Sequence, residues 1–223
     1  MTSFRDGIGS QSPGHLSSFG SSIIFTRRFA EASSPDVRVY LERPTLRREQ
    51  DYLQAVRRSR LLHRGFVSTP SSSDEYRDYL RRSRRKNQKS FFISLIGSGE
   101  LAGVINVNEI VRYSSQSARL GFYAFAPYAG SGLMREGLRL VLMRCFRELK
   151  LHRLEANIQP SNKRSLILVR RLGFRKEGLS RRYLKIGGRW QDHERWAILA
   201  EDWRRLSRPG HAVGRIQAAP FRA

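Results

Sequence analysis

The sequence predicts one mixed α/β domain built on a central, mostly antiparallel sheet flanked by helices. Three observations carry this prediction. Short β-rich runs alternate with helical periods from about residue 37 to residue 206. Two stretches, "SFFISLIGSGELAGVINVNEIV" and "YLKIGGRWQDHERWAILA", have the form of hairpins with Gly-containing links. A third stretch, "PYAGSGLMREGLRLVLMRCF" at 127–146, puts Gly130 and Gly132 directly before a strong amphipathic helix.

Each element follows from local chemistry. "VRVYLERP" is a strand stopped at Pro44. Thr45 then offers an N-cap for a helix whose apolar positions are Leu46, Tyr52 or Leu53, Val56 and Leu61. "SSSDEYRDYLRRSRRKNQ" is a second helix, with a Ser/Asp start, Tyr76, Tyr79 and Leu80 on one side, and a basic end that suits the helix dipole. Its run "RRSRRK" is a solvated helix end or a phosphate-binding surface. After the first hairpin, "ARLGFYAFAP" is a strand halted at Pro127. The helix from about Gly132 to Leu149 carries Met134, Leu138, Val141, Leu142, Cys145 and Leu149 at spacings of three and four, a stripe that faces a core. "HRLEANIQP" is a strand, and "SNKRSLILVRRLGF" is a short helix ended by Gly173. Residues 1–36, rich in Ser and Gly, and 207–223, with Pro209, Gly210 and Pro220, are expected to be tails. Within the first of them, "FTRRFAEASSP" also has a faint likeness to an organellar targeting peptide.

Bulk composition narrows the classes. No apolar run reaches the ~18–20 residues that a membrane-crossing helix needs. The single cysteine, Cys145, excludes an internal disulfide, and no Cys/His spacing points to a metal. Its place on the apolar stripe marks it as a buried thiol. The net charge of +23, from 42 Lys and Arg against 19 Asp and Glu, favours RNA, ribosomes, anionic surfaces or acidic ligands as surroundings. The same charge also fits a merely solvated Arg-rich surface.

The two glycines have a physical use. Free N–H groups and the positive end of the dipole gather at a helix start, and a pyrophosphate binds well there. Glycine lets the ligand come close because it has no side chain. Taken alone, G-x-G before a helix is as compatible with a tight turn as with a phosphate cradle. The stretch is neither a dinucleotide fingerprint nor a P-loop, since the further glycine, the acidic residue and the Gly-Lys-Ser/Thr are all missing.

Four motifs in order settle the comparison: "GLM-x-E-x-L", "HR-x-x-AN-x-x-P-x-NKRS", "LGF-x-KEG" and "YL-x-I-x-G-x-W-x-DH". With them the chain closely resembles the GNAT-superfamily N-acetyltransferases over about residues 37–204. It is nearest to those that acetylate the N-terminal alanine of a small-subunit ribosomal protein. The resemblance implies the GNAT fold, acetyl-CoA as co-substrate, no metal, a ribosomal-protein N-terminus as partner with ribosome or rRNA contact through the basic surface, and a cytoplasmic setting. It also assigns residues. Gly130, Ser131, Gly132, Leu133 and Met134 form the acetyl-CoA loop, with Pro127 where the family has Gln or Arg. Tyr123, Ala124 and Phe125 offer backbone to the pantetheine arm, and Asn162 and Ser165 lie beside its thiol end.

The chemistry expected is direct attack of an amine on a thioester, which needs a proton acceptor and a proton donor. Glu155 is the candidate base, on the opposite strand face from Leu154 and Ala156. Ser165, or water, is the candidate donor to the thiolate, because Val169 stands where some relatives have a tyrosine. Asp192 and His193 resemble an acid–base pair but also suit strand bridging. Glu109 is placed to meet the acceptor's positive amine or to remain a surface charge. A small-molecule amine acetyltransferase and a ribosome-binding assembly factor of the same fold are the competing functions.

Overall fold

A computed structural model describes residues 37–207 and 221–222. The strands are β1 (Val39–Glu42), β2 (Lys89–Leu95), β3 (Leu101–Val111), β4 (Ser117–Ala124), β5 (Arg153–Ile158), β6 (Arg175–Ile186), β7 (Arg189–Leu199) and the two-residue β8 (Phe221–Arg222). The helices are α1 (Glu49–Arg58), α2 (Arg60–His63), α3 (Ser73–Ser83), α4 (Leu133–Arg147), α5 (Lys163–Arg171) and α6 (Ala200–Leu206). The strands form one sheet in the order β6-β7-β5-β4-β3-β2-β1-β8. Pairing is antiparallel except for β4 with β5 and β1 with β8. The expected tail 1–36 lies outside the described residues, as does most of 207–223; Phe221 and Arg222 pair with Leu41 and Glu42.

Both faces of the sheet are buried, which is why "FFISL" reads as a continuous apolar run. On one face Phe91, Ile93, Ile105 and Leu154 pack with Leu138, Val141 and Cys145 of α4, with Val169 of α5 and with Trp203 of α6. On the other, Phe92, Val104, Tyr123 and Phe125 pack with Tyr52 and Val56 of α1 and with Tyr76 and Tyr79 of α3. Burial pushes the Cys145 thiol up to about 12, so it stays protonated and serves as packing.

Three local expectations need correction. Thr45 makes no side-chain cap bond, and a 3₁₀ turn over Leu46–Arg48 precedes α1. Leu46 and Leu61 are exposed rather than buried. The period breaks at Ser59, whose hydroxyl donates to the Ala55 carbonyl at 2.7 Å and accepts from the Ala126 N–H at 2.9 Å. The final hairpin also starts at Arg175, earlier than its apolar pattern suggests, because β6 is an edge strand with charged, exposed faces.

Candidate active site

The site begins where two parallel strands part. β4 and β5 are paired from Ser117–Arg153 to Leu120–Ala156 and no further. Beyond that point β4 continues on β3 as far as the Ala124–Gly103 pair, and β5 continues on β7 as far as Ile158–Glu194. The fork so formed holds a cavity of about 320 Å³. Gly121 and Phe122 line it from β4, Asn157 and Gln159 from β5, and Asn162 and Ser165 from the start of α5.

The loop after β4 leads to α4 through two left-handed glycines. Gly130 and Gly132 both have φ +89, a conformation costly for any residue with a Cβ. A Cβ built on Gly130 meets nothing within 4 Å, so the space in front of this loop is open. The N–H groups of Arg135 and Glu136 reach the Gly132 carbonyl, at 3.0 and 3.2 Å. Those of Leu133 and Met134, in the first turn, have no acceptor within the helix. Ser131 donates its hydroxyl to the Tyr128 carbonyl at 2.6 Å, and its N–H turns to the same carbonyl. This is a cradle that fits a pyrophosphate. No local pattern pointed to Arg38, 98 positions before its partner. Its Nε donates to Glu136 at 2.8 Å and its Nη2 to the Ser131 carbonyl at 3.2 Å, setting a cation beside the loop and offsetting the acid in the first turn of α4.

The predicted backbone contacts on β4 divide by alternation. The Phe125 N–H donates to the Ala102 carbonyl of β3 at 2.8 Å, so it belongs to the sheet. Tyr123 pairs with Val104, and its hydroxyl lies 2.9 Å from that of Tyr52 in the buried aromatic cluster. Ala124 presents its backbone to the opposite edge, where its carbonyl accepts from His63 Nε2 at 2.8 Å. Burial lowers the His63 pKa, so this ring is neutral. Phe122, one residue before the predicted set, shares the open edge with Ala124.

At the start of α5, the Asn162 side chain accepts the Ser165 N–H at 3.2 Å, so it caps the helix while lining the cavity. Glu155 is on the face predicted for it. Arg153 donates to it at 2.8 Å, Arg119 stands 3.9 Å away, and Arg153 also binds Glu177. It lies one pair before the fork opens and does not line the cavity. Asp192 and His193 point apart: Asp192 accepts the Arg182 N–H at 2.7 Å, while the buried His193 ring lines the cavity. Glu109 also lines it, paired with Arg119 at 2.7 Å. Among the described residues no group of three or more His, Cys, Asp or Glu side chains could hold a metal ion.

A fork in parallel strands beside a glycine-cradled helix is also where the family comparison falls. Residues 38–175 match the acetyltransferase (GNAT) domain family. The chain belongs to that family. This acetyltransferase is 37% identical over 125 residues to the Bacillus subtilis protein named "Probable N-acetyltransferase YjcK", covering 56% of this chain and 69% of that one. It is 38% identical over 120 residues to the Escherichia coli [ribosomal protein uS5]-alanine N-acetyltransferase, covering 53% of this chain and 62% of the relative. Among solved structures, Mycobacterium smegmatis RimJ in complex with CoA-disulfide superposes with a TM-score of 0.67 at 27% identity, covering 75% of this chain and 87% of that one. The GNAT architecture predicted from the motifs is therefore the architecture of the chain.

Proposed function

We propose that this acetyltransferase uses acetyl-CoA to acetylate the N-terminal amine of a ribosomal protein that begins with alanine. The observation that carries the reading is the fork of β4 and β5, whose cavity is lined from both strands, from the start of α5 and from the β6–β7 hairpin. The Gly130–Met134 loop would hold the pyrophosphate. The open backbone edge at Phe122 and Ala124 would take the pantetheine arm as an added strand. Asn162 and Ser165 would flank the thioester, with the Ser165 hydroxyl placed to protonate the departing thiolate. The E. coli relative named as acting on uS5 supports the choice of acceptor.

The cavity chemistry favours a peptide end over a polyamine. Its described lining holds one carboxylate, Glu109, already paired with Arg119, beside apolar Phe66, Val67, Leu184 and Ile186. A polycation would also be repelled by a protein of charge +23. On this reading the protein works in the cytoplasm, and its basic surface meets ribosomal RNA.

Incubation with acetyl-CoA and an alanine-starting peptide tests the reaction, followed by mass spectrometry of the peptide end. The expected result is transfer to the α-amine, with an N-terminally blocked peptide inert and spermidine a poor acceptor. Preferred transfer to spermidine would overturn the acceptor assignment. Co-sedimentation with ribosomes should weaken at least tenfold as salt rises from about 50 to about 200 mM, because phosphate contacts release counterions. A flat salt response would leave the charge as a solvated surface.

A further inference from the structure

The cavity has two sides. Leu154, Ala156 and Ile158 of β5 face α4 and α5. Glu155 and Asn157 face the other way, as do their cross-strand partners Ala197 and Arg195 on β7. His193 lies two residues beyond Arg195, so it shares that second face. The cradle at the start of α4 belongs to the first side. The second side, with Phe66 and Val67 above it, is therefore where an amine would enter.

On the second side His193 has a geometry that Glu155 lacks. Its Nδ1 stands 3.0 Å from the Gln191 carbonyl. A carbonyl can only accept, so Nδ1 carries the hydrogen, and in that tautomer of an imidazole the lone pair is on Nε2. No described group hydrogen-bonds Nε2. The ring is 3% exposed, and Tyr183 meets it edge-on with centroids 6.1 Å apart, so it is held in one orientation. Asn157, at the first position past the fork, has its Oδ1 buried with no hydrogen-bond partner among the described residues. An incoming amine brings the N–H that this oxygen lacks. An amide oxygen cannot take a proton at neutral pH, which leaves the imidazole as the acceptor.

Glu155 is differently occupied. Arg153 and Arg119 stand over it. It pairs with Ala197, four residues before the level of His193, or roughly 13 Å along the strand. The other titratable groups lining the cavity are Glu109, Arg119 and Tyr183, and the first two are paired to each other.

We propose that His193 is the general base for the acceptor amine, taking its proton on Nε2, and that Glu155 instead holds Arg119 and Arg153 in place. The proposal rests on the acetyltransferase reading above. The amine nitrogen forms its bond to the thioester carbonyl carbon, and the carbon–sulfur bond breaks with its electron pair left on sulfur. The nitrogen, attacking as the neutral amine, loses one proton to Nε2; the thiolate takes one from the Ser165 hydroxyl, which regains it from the imidazolium through solvent, so that one proton in all passes from nitrogen to sulfur.

The test is steady-state acetylation across pH with wild type, His193→Gln, His193→Ala and Glu155→Gln, each checked for folding by circular dichroism. The His193 variants should lose on the order of 10²-fold in kcat at neutral pH, with acetyl-CoA affinity unchanged by calorimetry. Their deficit should shrink as pH rises and the amine deprotonates by itself, and added imidazole should partly rescue His193→Ala. Glu155→Gln should keep the acid limb of the wild-type profile. A His193→Gln enzyme with full turnover and an intact acid limb overturns the proposal, as does loss of that limb in Glu155→Gln. If wild type acetylates spermidine but not the peptide, the acceptor reading fails while the same variants still judge His193 on that amine. Wild type inert toward both overturns both.

Discussion

The two sides of the fork are built by different means. On the α4 side, the proposed ligand site is a helix terminus. The Gly130–Gly132 turn is fixed because α4 is anchored by Leu138, Val141, Leu142 and Cys145, all fully buried. The groups that would meet the ligand are backbone amides, whose direction follows from the helix itself. On the other side, the cavity is lined by side chains brought together from the loop after α2, β3, β4, β5 and the β6–β7 hairpin. Irregular backbone lies at or beside some of them. Glu109 and Arg182 have φ of 51 and 45, and the registers of β3 with β4 and of β6 with β7 slip beside them. One side needs a helix start and two glycines; the other needs a whole tertiary arrangement.

The largest effect that can break this contrast is on the anchor. Leu138→Ala removes a fully buried side chain beneath the cradle helix and should destabilise the fold by about 2–5 kcal/mol in denaturant unfolding. A loss under 1 kcal/mol would mean that α4 is not what fixes the loop. Next is the cradle itself. Gly132→Asp puts a Cβ at φ +89 and a negative charge at the helix start, so acetyl-CoA affinity should fall tenfold or more, about 1.4 kcal/mol. Unchanged affinity by calorimetry, in a folded variant, would remove the pyrophosphate assignment.

Smaller effects sharpen the contrast. Asn162→Ala deletes the cap on the Ser165 N–H and should cost about 1 kcal/mol of stability. Thermal unfolding measures that cost, and saturating bound CoA should restore part of it only if Asn162 does not itself hold the ligand. The smallest concerns the two buried histidines. His63 spends Nε2 on the Ala124 carbonyl, and its Nδ1 is buried without a partner, whereas His193 spends Nδ1 on the Gln191 carbonyl. Because burial lowers the His63 pKa, the unfolded chain binds the proton first, and native stability should fall as pH drops below about 6.5. His63→Gln should flatten that part of the stability profile; an unchanged slope would assign the acid sensitivity to other groups.

Much of this was legible along the chain. Period and punctuation located every strand from β1 to β7, the helices α1 and α3 to α5, and the glycine cradle, because those signals are local: apolar spacing, caps, and residues that tolerate a left-handed backbone. Ser72 accepts the Glu75 N–H, and Asn162 that of Ser165, as their positions before apolar periods suggested. Local reasoning failed where a neighbour far along the chain decided the outcome. Leu61 looked like the next turn of a stripe, but Ser59 turns the chain to bind Ala126. Strand alternation gave the face that Glu155 takes, but not that β4 stays paired with β5 past its level.

Residue order and local spacing were enough for the fold class, the family resemblance, the helix behind the cradle and the glycines that open it, since their signals lie in short stretches of chain. Packing between distant elements set where β4 parts from β5, that Arg38 joins Glu136 beside the loop, and that His193 rather than Asp192 lines the cavity. Those are matters of register and of contacts between residues distant in sequence. A one-residue change of register reverses which side chains face the cavity, and no local pattern in a single strand fixes its register against another.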